Sequence, residues 1–284
     1  GHQGRNPAAS AVLHYWLPEE LPPETPLELA IVDRNGETVR TFTRKPEQAD
    51  EEKEAAKGDD DRLLTATAGL NRIEWNLRYP GVERFENLVL WNDCLDGPRA
   101  VPAEYRATLT VGEADYAVDL QVLPDPRSSA TPAELQQQFD FVWGVNRKLT
   151  DTHGAITQLR GVREQIAAVG ERVSESLDFG DLAQQSQTIV ERLDGIERAL
   201  YQVELEAPQD PLNFPIRLND KLAGVMLAAA IGDHPPTESA VAVRDELFAA
   251  IDEQLAALDE VLGEELEAFN RLAAELALPA VAAD

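Results

Sequence analysis

Between Ala11 and about Asp125 the apolar side chains recur at nearly every second position, the rhythm of strands with one buried face. Val12–Leu17 reads as a first strand closed by Pro18, and Leu27–Asp33 as a second, with Leu27, Leu29 and Ile31 on one face. Arg34-Asn35-Gly36-Glu37 follows, and an Asn-Gly pair is a strong hairpin signal because both residues tolerate positive φ. Thr38–Thr43 returns as the third strand. Gly69–Leu77 is a fourth, with Ile73, Trp75 and Leu77 facing inward, and Leu88–Trp91 a shorter fifth. Gly97–Pro102 turns the chain into Ala103–Val111, and Gly112–Asp115 turns it again into Tyr116–Leu123. Seven strands without an intervening helix predict an immunoglobulin or fibronectin-III-like β-sandwich over 11–125.

Near residue 130 the rhythm changes to steps of three and four. Thr131-Pro132-Ala133-Glu134 carries a helix-start signature: a capping Thr, a Pro in the first turn, and a Glu placed to close a capping box. Val142, Val145, Leu149, Thr152, Ile156, Leu159 and Ile166 continue a heptad-like stripe to about Val169, some 57 Å of helix at 1.5 Å per residue. A second helix starts near Asp181 and carries Leu182, Ile189, Leu193, Ile196, Leu200 and Val203, before Ala207–Pro211 breaks it. A third spans Pro215–Ile231. The fourth starts at a Thr237 cap and presents Phe248, Ile251, Leu255, Leu258, Leu262, Phe269, Leu272 and Leu276. The stripes predict an antiparallel long-helix bundle over 131–277. Two topologies are open: four alternating helices, or a three-helix bundle whose second arm is helices two and three end to end. Residues 126–130 then form a linker, and 1–10 and 278–284 tails.

Composition refines this picture. The 25 basic residues face 52 acidic ones, a formal charge of −27, which disfavours nucleic acid as a partner. Only Lys45, Lys53, Lys57, Lys148 and Lys221 are lysines. An acid-rich, lysine-poor surface suits a high-salt habitat, where screening blunts self-repulsion. The charged insert Arg44–Arg62 has little to bury and reads as an acidic loop. Its Asp59–Asp61 run lacks the alternating ligands, central Gly and distal Glu of a calcium loop. No apolar run is long enough to span a membrane. Cys94 is the only cysteine, so neither an internal disulfide nor a cysteine zinc site can form.

Candidate chemistry is sparse. The histidines are His2, His14, His153 and His234, and a packed or half-exposed helical residue is the plain reading of His153. No Glu-x-x-His pair marks a di-iron bundle, and HExxH, GxSxG, GxxxxGK[ST] and GxGxxG are absent. These observations call for no catalytic residue, no cofactor and no metal. The one ligand or interface candidate is Trp91 with Asn92 and Asp93, a ring beside polar groups that suits sugar stacking. Asp96 and Glu104 lie nearby, and paired acids serve glycoside hydrolysis. Core packing is the competing reading for Trp16, Trp75 and Trp91, and bundle packing for Trp143.

Several segments together resemble a known family: Asn6-Pro7 with Val12–Leu17, Asp33–Phe42, GLNRIEWNLRYPG over Gly69–Gly81, GPRAVPAEY over Gly97–Tyr105, and LPDPR over Leu123–Arg127. With Thr131-Pro132, Phe139 and a weaker Phe269-Asn270, they are similar to the C-terminal region of large bacterial proteins with BNR or sortilin-like repeats, often labelled glycosyl hydrolases. The first half is also similar to the immunoglobulin-like domain of flagellar hook-capping proteins. The resemblance implies a β-propeller upstream, as part of the same protein and as this chain's partner, and a secreted or periplasmic parent. The Asp-box pattern of the propeller repeats is absent here, so no catalytic residue carries over. The expected role is a non-catalytic structural or interaction module, with the bundle serving a protein partner or self-association. A carbohydrate-binding accessory domain and a hydrolase with scattered carboxylates are the alternatives.

Overall fold

The computed structural model describes residues 10–44, 63–173, 180–276, 278 and 280–283. The insert expected at 44–62 and the N-terminal tail therefore lie, but for Ser10 and Arg44, outside the described residues. Among the described residues seven strands precede four helical stretches, and the chain divides into two compact units. The first comprises residues 1–80 and 96–139, the second 81–95 and 140–284.

In the first unit β1 (Ala11–Leu17) pairs antiparallel with β5 (Gly69–Trp75) as a two-stranded sheet. The other sheet has the order β4-β3-β2-β6-β7, from β2 (Leu27–Val32), β3 (Thr38–Arg44), β4 (Leu63–Leu64), β6 (Glu104–Val111) and β7 (Ala114–Gln121). All its pairings are antiparallel except β3 with β4. Strict alternation buries Leu13, Tyr15 and Leu17 of β1, Leu27, Leu29 and Ile31 of β2, and Ile73 and Trp75 of β5. The buried faces meet where the Trp75 ring stands edge-on to Tyr105 of β6, 5.2 Å between centroids. Tyr105 donates its hydroxyl to the Val101 carbonyl at 2.9 Å, locking the approach to β6.

The β2–β3 hairpin differs in detail from the Asn-Gly expectation. Only Gly36 takes positive φ, at +82°. Gly36 N–H donates to Asp33 O, and the Asp33 carboxylate accepts from the Asn35 and Glu37 amides. The register then shifts between Ile31 and Val32, a bulge that leaves the successive residues Val39 and Arg40 both buried.

The expected strand Leu88–Trp91 does not form. Gly81–Leu95 packs with the helices, where Val82, Phe85, Leu88, Leu90 and Leu95 join the helical core. The alternation that suggested a strand is real burial, but against helices. Its amides bond to side chains instead of a neighbouring strand, as described below.

The helices are α1 (Pro132–Val173), α2 (Gly180–Leu200), α3 (Leu218–Ala230) and α4 (Glu238–Glu260), the last running through a π turn at Val261–Glu265 into α5 (Leu266–Glu275). The capping box closes as expected: Glu134 N–H donates to Thr131 Oγ1, and Thr131 N–H donates to Glu134 Oε2. Thr237 caps α4 by accepting from Ala240 N–H. The buried stripe of α4 and α5 reads Leu258, Val261, Leu266, Phe269, Ala273, not through Leu262. Its one five-residue step falls on the π turn, whose wider winding keeps both flanking residues on the core side.

Cross-helix pairs set the arrangement. Arg160 and Arg163 of α1 meet Glu197 of α2, while Ser186 Oγ donates to Ile166 O, so the two run antiparallel. Arg244 sits over the Phe141 ring and Lys148 Nζ lies 2.5 Å from Asp252, so α1 and α4 run in the same direction. Asn219, at the start of α3, meets His153. Thus α2 takes the later stretch of α1 and α3 the earlier one, and four helices form three columns. Beyond α5 the chain remains held: Asn270 exchanges two hydrogen bonds with the Val281 backbone, and Gln165 two with Ala282.

The membership of Gly81–Leu95 yields a prediction. Burying an apolar side chain contributes about 1.5–3 kcal/mol, so a fragment beginning at residue 131 loses five such contributions to its core. It should unfold at a lower denaturant midpoint than the whole chain, and added 81–95 peptide should raise that midpoint. Equal midpoints for fragment and whole chain would count against this packing.

Candidate functional site

Two places bring polar or apolar groups together in ways that sequence spacing does not show. The first is the seat of Gly81–Leu95. Asp220, in the first turn of α3, is 1% exposed. Its Oδ2 accepts from Trp91 N–H at 2.7 Å, and its Oδ1 from Asn92 N–H at 3.0 Å and Asn92 Nδ2 at 2.9 Å. Tyr201 Oη accepts from Val89 N–H at 3.3 Å. Two side chains of the helical unit thus replace the strand partner that Leu88–Asn92 lacks. A buried carboxylate is tolerated because hydrogen-bond donors occupy both its oxygens.

His153 of α1 extends this network. Its Nδ1 lies 2.7 Å from Glu83 O, which can only accept, so Nδ1 carries the proton. Nε2 then accepts from Asn219 Nδ2 at 3.4 Å, and Asn219 Oδ1 accepts from Asp220 N–H. Phe85 stands edge-on to both His153 and Tyr201. The Arg160 guanidinium covers its face, 4.7 Å from the centroid. Burial pushes the His153 imidazole below its ordinary pKa. The Glu83 carbonyl acts the other way, and nearby Arg84 adds to the depression. The ring is neutral, doubly engaged and almost wholly enclosed.

The sequence candidates sit on this seat. Trp91 is 53% exposed, Asn92 is held by Asp220, and Asp93 forms a paired contact with Arg84, at 2.6 and 3.1 Å. The structure therefore brings the three together, but with both polar side chains occupied. A sugar platform needs polar groups beside the ring to fix hydroxyls. Here the ring is open and its polar neighbours are engaged in holding the segment. Of the other tryptophans, Trp75 is core, whereas Trp16 is 69% exposed on the outer face of β1, not in the core. His153, Asn219 and Asp220 did not emerge as a group from sequence. Their one signal was an Asn-Asp pair, followed by Lys221, opening a helix that is apolar from Leu222 onward.

The second place is a cavity of about 470 Å³ in the first unit. Leu13–Leu17 of β1 form one wall, and Leu29, Ala107, Leu109, Tyr116 and Val118 the opposite one. In the β6–β7 register Tyr105, Ala107 and Leu109 face Leu120, Val118 and Tyr116, so these β7 residues belong to the inner face of their sheet. Yet Tyr116 is 63% and Val118 53% exposed, because the two-stranded sheet is too narrow to cover β7. Sequence alternation identified the strand. It could not show that nothing lay over it.

A smaller cavity of about 240 Å³ is lined by Arg160, Arg163, Asp194, Glu197 and Arg198. Glu197 is enclosed between Arg160 (2.6 Å) and Arg163, and Arg163 also reaches Asp194 at 2.6 Å, so opposite charges here satisfy each other. Among the described residues, no group of three or more His, Cys, Asp or Glu side chains is placed to hold a metal ion, and no helix is long and apolar enough to cross a membrane. No family model, curated protein or solved structure matches the chain.

Two outcomes follow from the seat. Asp220→Ala leaves the Trp91 and Asn92 amides without their acceptor, while Asn92 Nδ2 keeps only the residue 220 carbonyl. At about 1–3 kcal/mol per buried unsatisfied group, a loss of about 2–4 kcal/mol is expected after partial rehydration, together with faster proteolysis at Arg84. Denaturant unfolding and limited trypsin digestion read both. His153 binds its proton less tightly folded than unfolded. Its contribution is therefore complete above the unfolded value, near 6.5, and is lost as pH falls below it toward the lower folded value. Stability profiles between pH 7.5 and 4.5 should show a component that His153→Gln flattens. An unchanged slope in that variant would contradict the neutral, enclosed imidazole.

Proposed function

We propose that this chain is a non-catalytic structural and interaction module: an immunoglobulin-like β-sandwich joined to an antiparallel helical bundle, forming the C-terminal part of a larger exported protein of the BNR or sortilin-like kind. The observation that carries the reading is the use made of the buried polar groups. Among the described residues, Asp220, His153 and Glu197 are buried ionisable groups of the helical unit, and each is engaged by protein partners that hold segments in place. Glu197 does line the small cavity, but each of its oxygens is held by an arginine, so it is not placed as the unengaged acid or base that general acid–base work requires. The immunoglobulin-like assignment is supported by the Tyr105–Val101 hydrogen bond, which resembles the tyrosine corner of such domains, and by the buried Trp75 beside it.

On this reading the natural partner is the β-propeller upstream in the same protein, with self-association or a further protein held through the helices as other uses of the module. The test is to sequence outward to the full gene, produce the encoded propeller separately, and measure co-elution by size exclusion with light scattering. Co-elution is expected. A chain that ignores the propeller, or that hydrolyses glycosides with activity lost on single Asp or Glu substitution, would overturn the proposal.

The exposure of Trp91 favours one second reading, carbohydrate binding. It requires signal on a glycan array that Trp91→Ala reduces at least tenfold. A silent array is the expected result, since Asn92 Nδ2 and the Asp93 carboxylate are already engaged by Asp220 and Arg84.

A further inference from the structure

Among the described residues β1 pairs only through the edge facing β5, so a row of its amides and carbonyls along the opposite edge has no strand partner. Beside that free edge lies the uncovered inner face of β7, with Tyr116 and Val118 more than half exposed. The two observations are independent, one from backbone pairing and one from side-chain burial, and the 470 Å³ groove joins them. A strand added to β1 would satisfy its backbone and lay every second side chain onto Leu109, Tyr116 and Val118.

We propose that this groove accepts an extended strand from a different polypeptide, about seven residues long, with apolar side chains at alternate positions and basic ones between them. The length follows from β1, whose seven residues span about 23 Å at about 3.3 Å each. The apolar alternation follows from the pleat, which turns every second side chain of an added strand toward β7.

Two arguments identify the occupant. The stretches outside the described residues, chiefly 1–9, 45–62 and 174–179, read GHQGRNPAA, KPEQADEEKEAAKGDDDR and SESLDF, and none carries a period-two apolar run. The strand therefore comes from beyond this sequence. Charge then selects among outside strands. Glu19 is the only Asp, Glu, Lys or Arg in the groove lining, Glu113 and Asp115 flank the start of β7, and the chain carries −27 in all. A basic strand is drawn to that rim, whereas a second copy of this chain is repelled.

The proposal deepens the interaction-module reading, and the two fail separately. Glycoside turnover would end the module reading without bearing on strand capture, while an empty groove would end strand capture alone. The probe is a seven-residue synthetic peptide alternating lysine with valine, added to the whole chain. Anisotropy of a labelled copy gives affinity, and amide hydrogen exchange locates the contact. We expect exchange to slow at least tenfold at alternate β1 amides. A peptide N-methylated on its β1-facing amides should bind at least tenfold more weakly, as should the unmodified peptide to Val118→Asp, an exposed position whose change leaves the fold intact by circular dichroism. Val118→Ile should retain binding, and added salt should weaken it. Equal affinity for the N-methylated peptide, protection outside β1 and β7, or a self-association that excludes the peptide would each overturn the proposal.

Discussion

A carboxylate enclosed by protein is costly unless every lone-pair direction that matters is met, and Asp220 is 1% exposed. Its solution is to accept two backbone amides and one side-chain amide from Trp91 and Asn92. That constraint organises the helical unit. Meeting it brings Gly81–Leu95 onto the helices, and with it Phe85 into contact with His153 and Tyr201. The segment in turn supplies Glu83 O, which fixes the His153 tautomer, and His153 orients Asn219 beside Asp220. Charge, tautomer and packing are therefore coupled, because each polar group is the partner another one needs.

The same accounting separates structural chemistry from surplus chemistry. In the helical unit Asp220 and His153 are satisfied internally, and the network of Glu197 with Arg160 and Arg163 repeats the pattern on the other side of Phe85, while Gln185 Oε1 is buried without a partner. In the sheet unit the balance is reversed. A two-stranded sheet lies on a five-stranded one, and the mismatch leaves both a backbone edge and an apolar strip uncovered. Soluble proteins usually blunt such edges, since an open one invites pairing. Here the acidic rim supplies that protection against like-charged copies while leaving the edge available to an oppositely charged strand.

Much of this was legible in the chain itself. Six of the seven expected strands form, within a few residues of their expected bounds, because alternate burial is a local property that a period of two reports directly. The Thr131–Glu134 and Thr237 caps could be read because capping is a bond between residues three apart. Leu88–Trp91 could not be assigned correctly, since period-two burial is the same signal whether the cover is a sheet or a set of helices. Likewise the strand at Tyr116–Leu123 could be read, but not that Tyr116 and Val118, opposite the buried Leu109 and Ala107, remain open to solvent.

The sequence by itself determined six of the strands and the helical stretches, most of the faces that turn inward, and that the chain is strongly acidic. These depend on side-chain periodicity, turn chemistry and composition, all of which act over a few residues. Only the tertiary structure decided that Asp220 lies beneath Trp91, 129 residues away in the chain, that α2 and α3 share one column, and that among the described residues β1 keeps an unpaired edge beside β7. Each of those depends on which distant segment comes to lie alongside, and a burial rhythm records that a side chain is covered without recording by what.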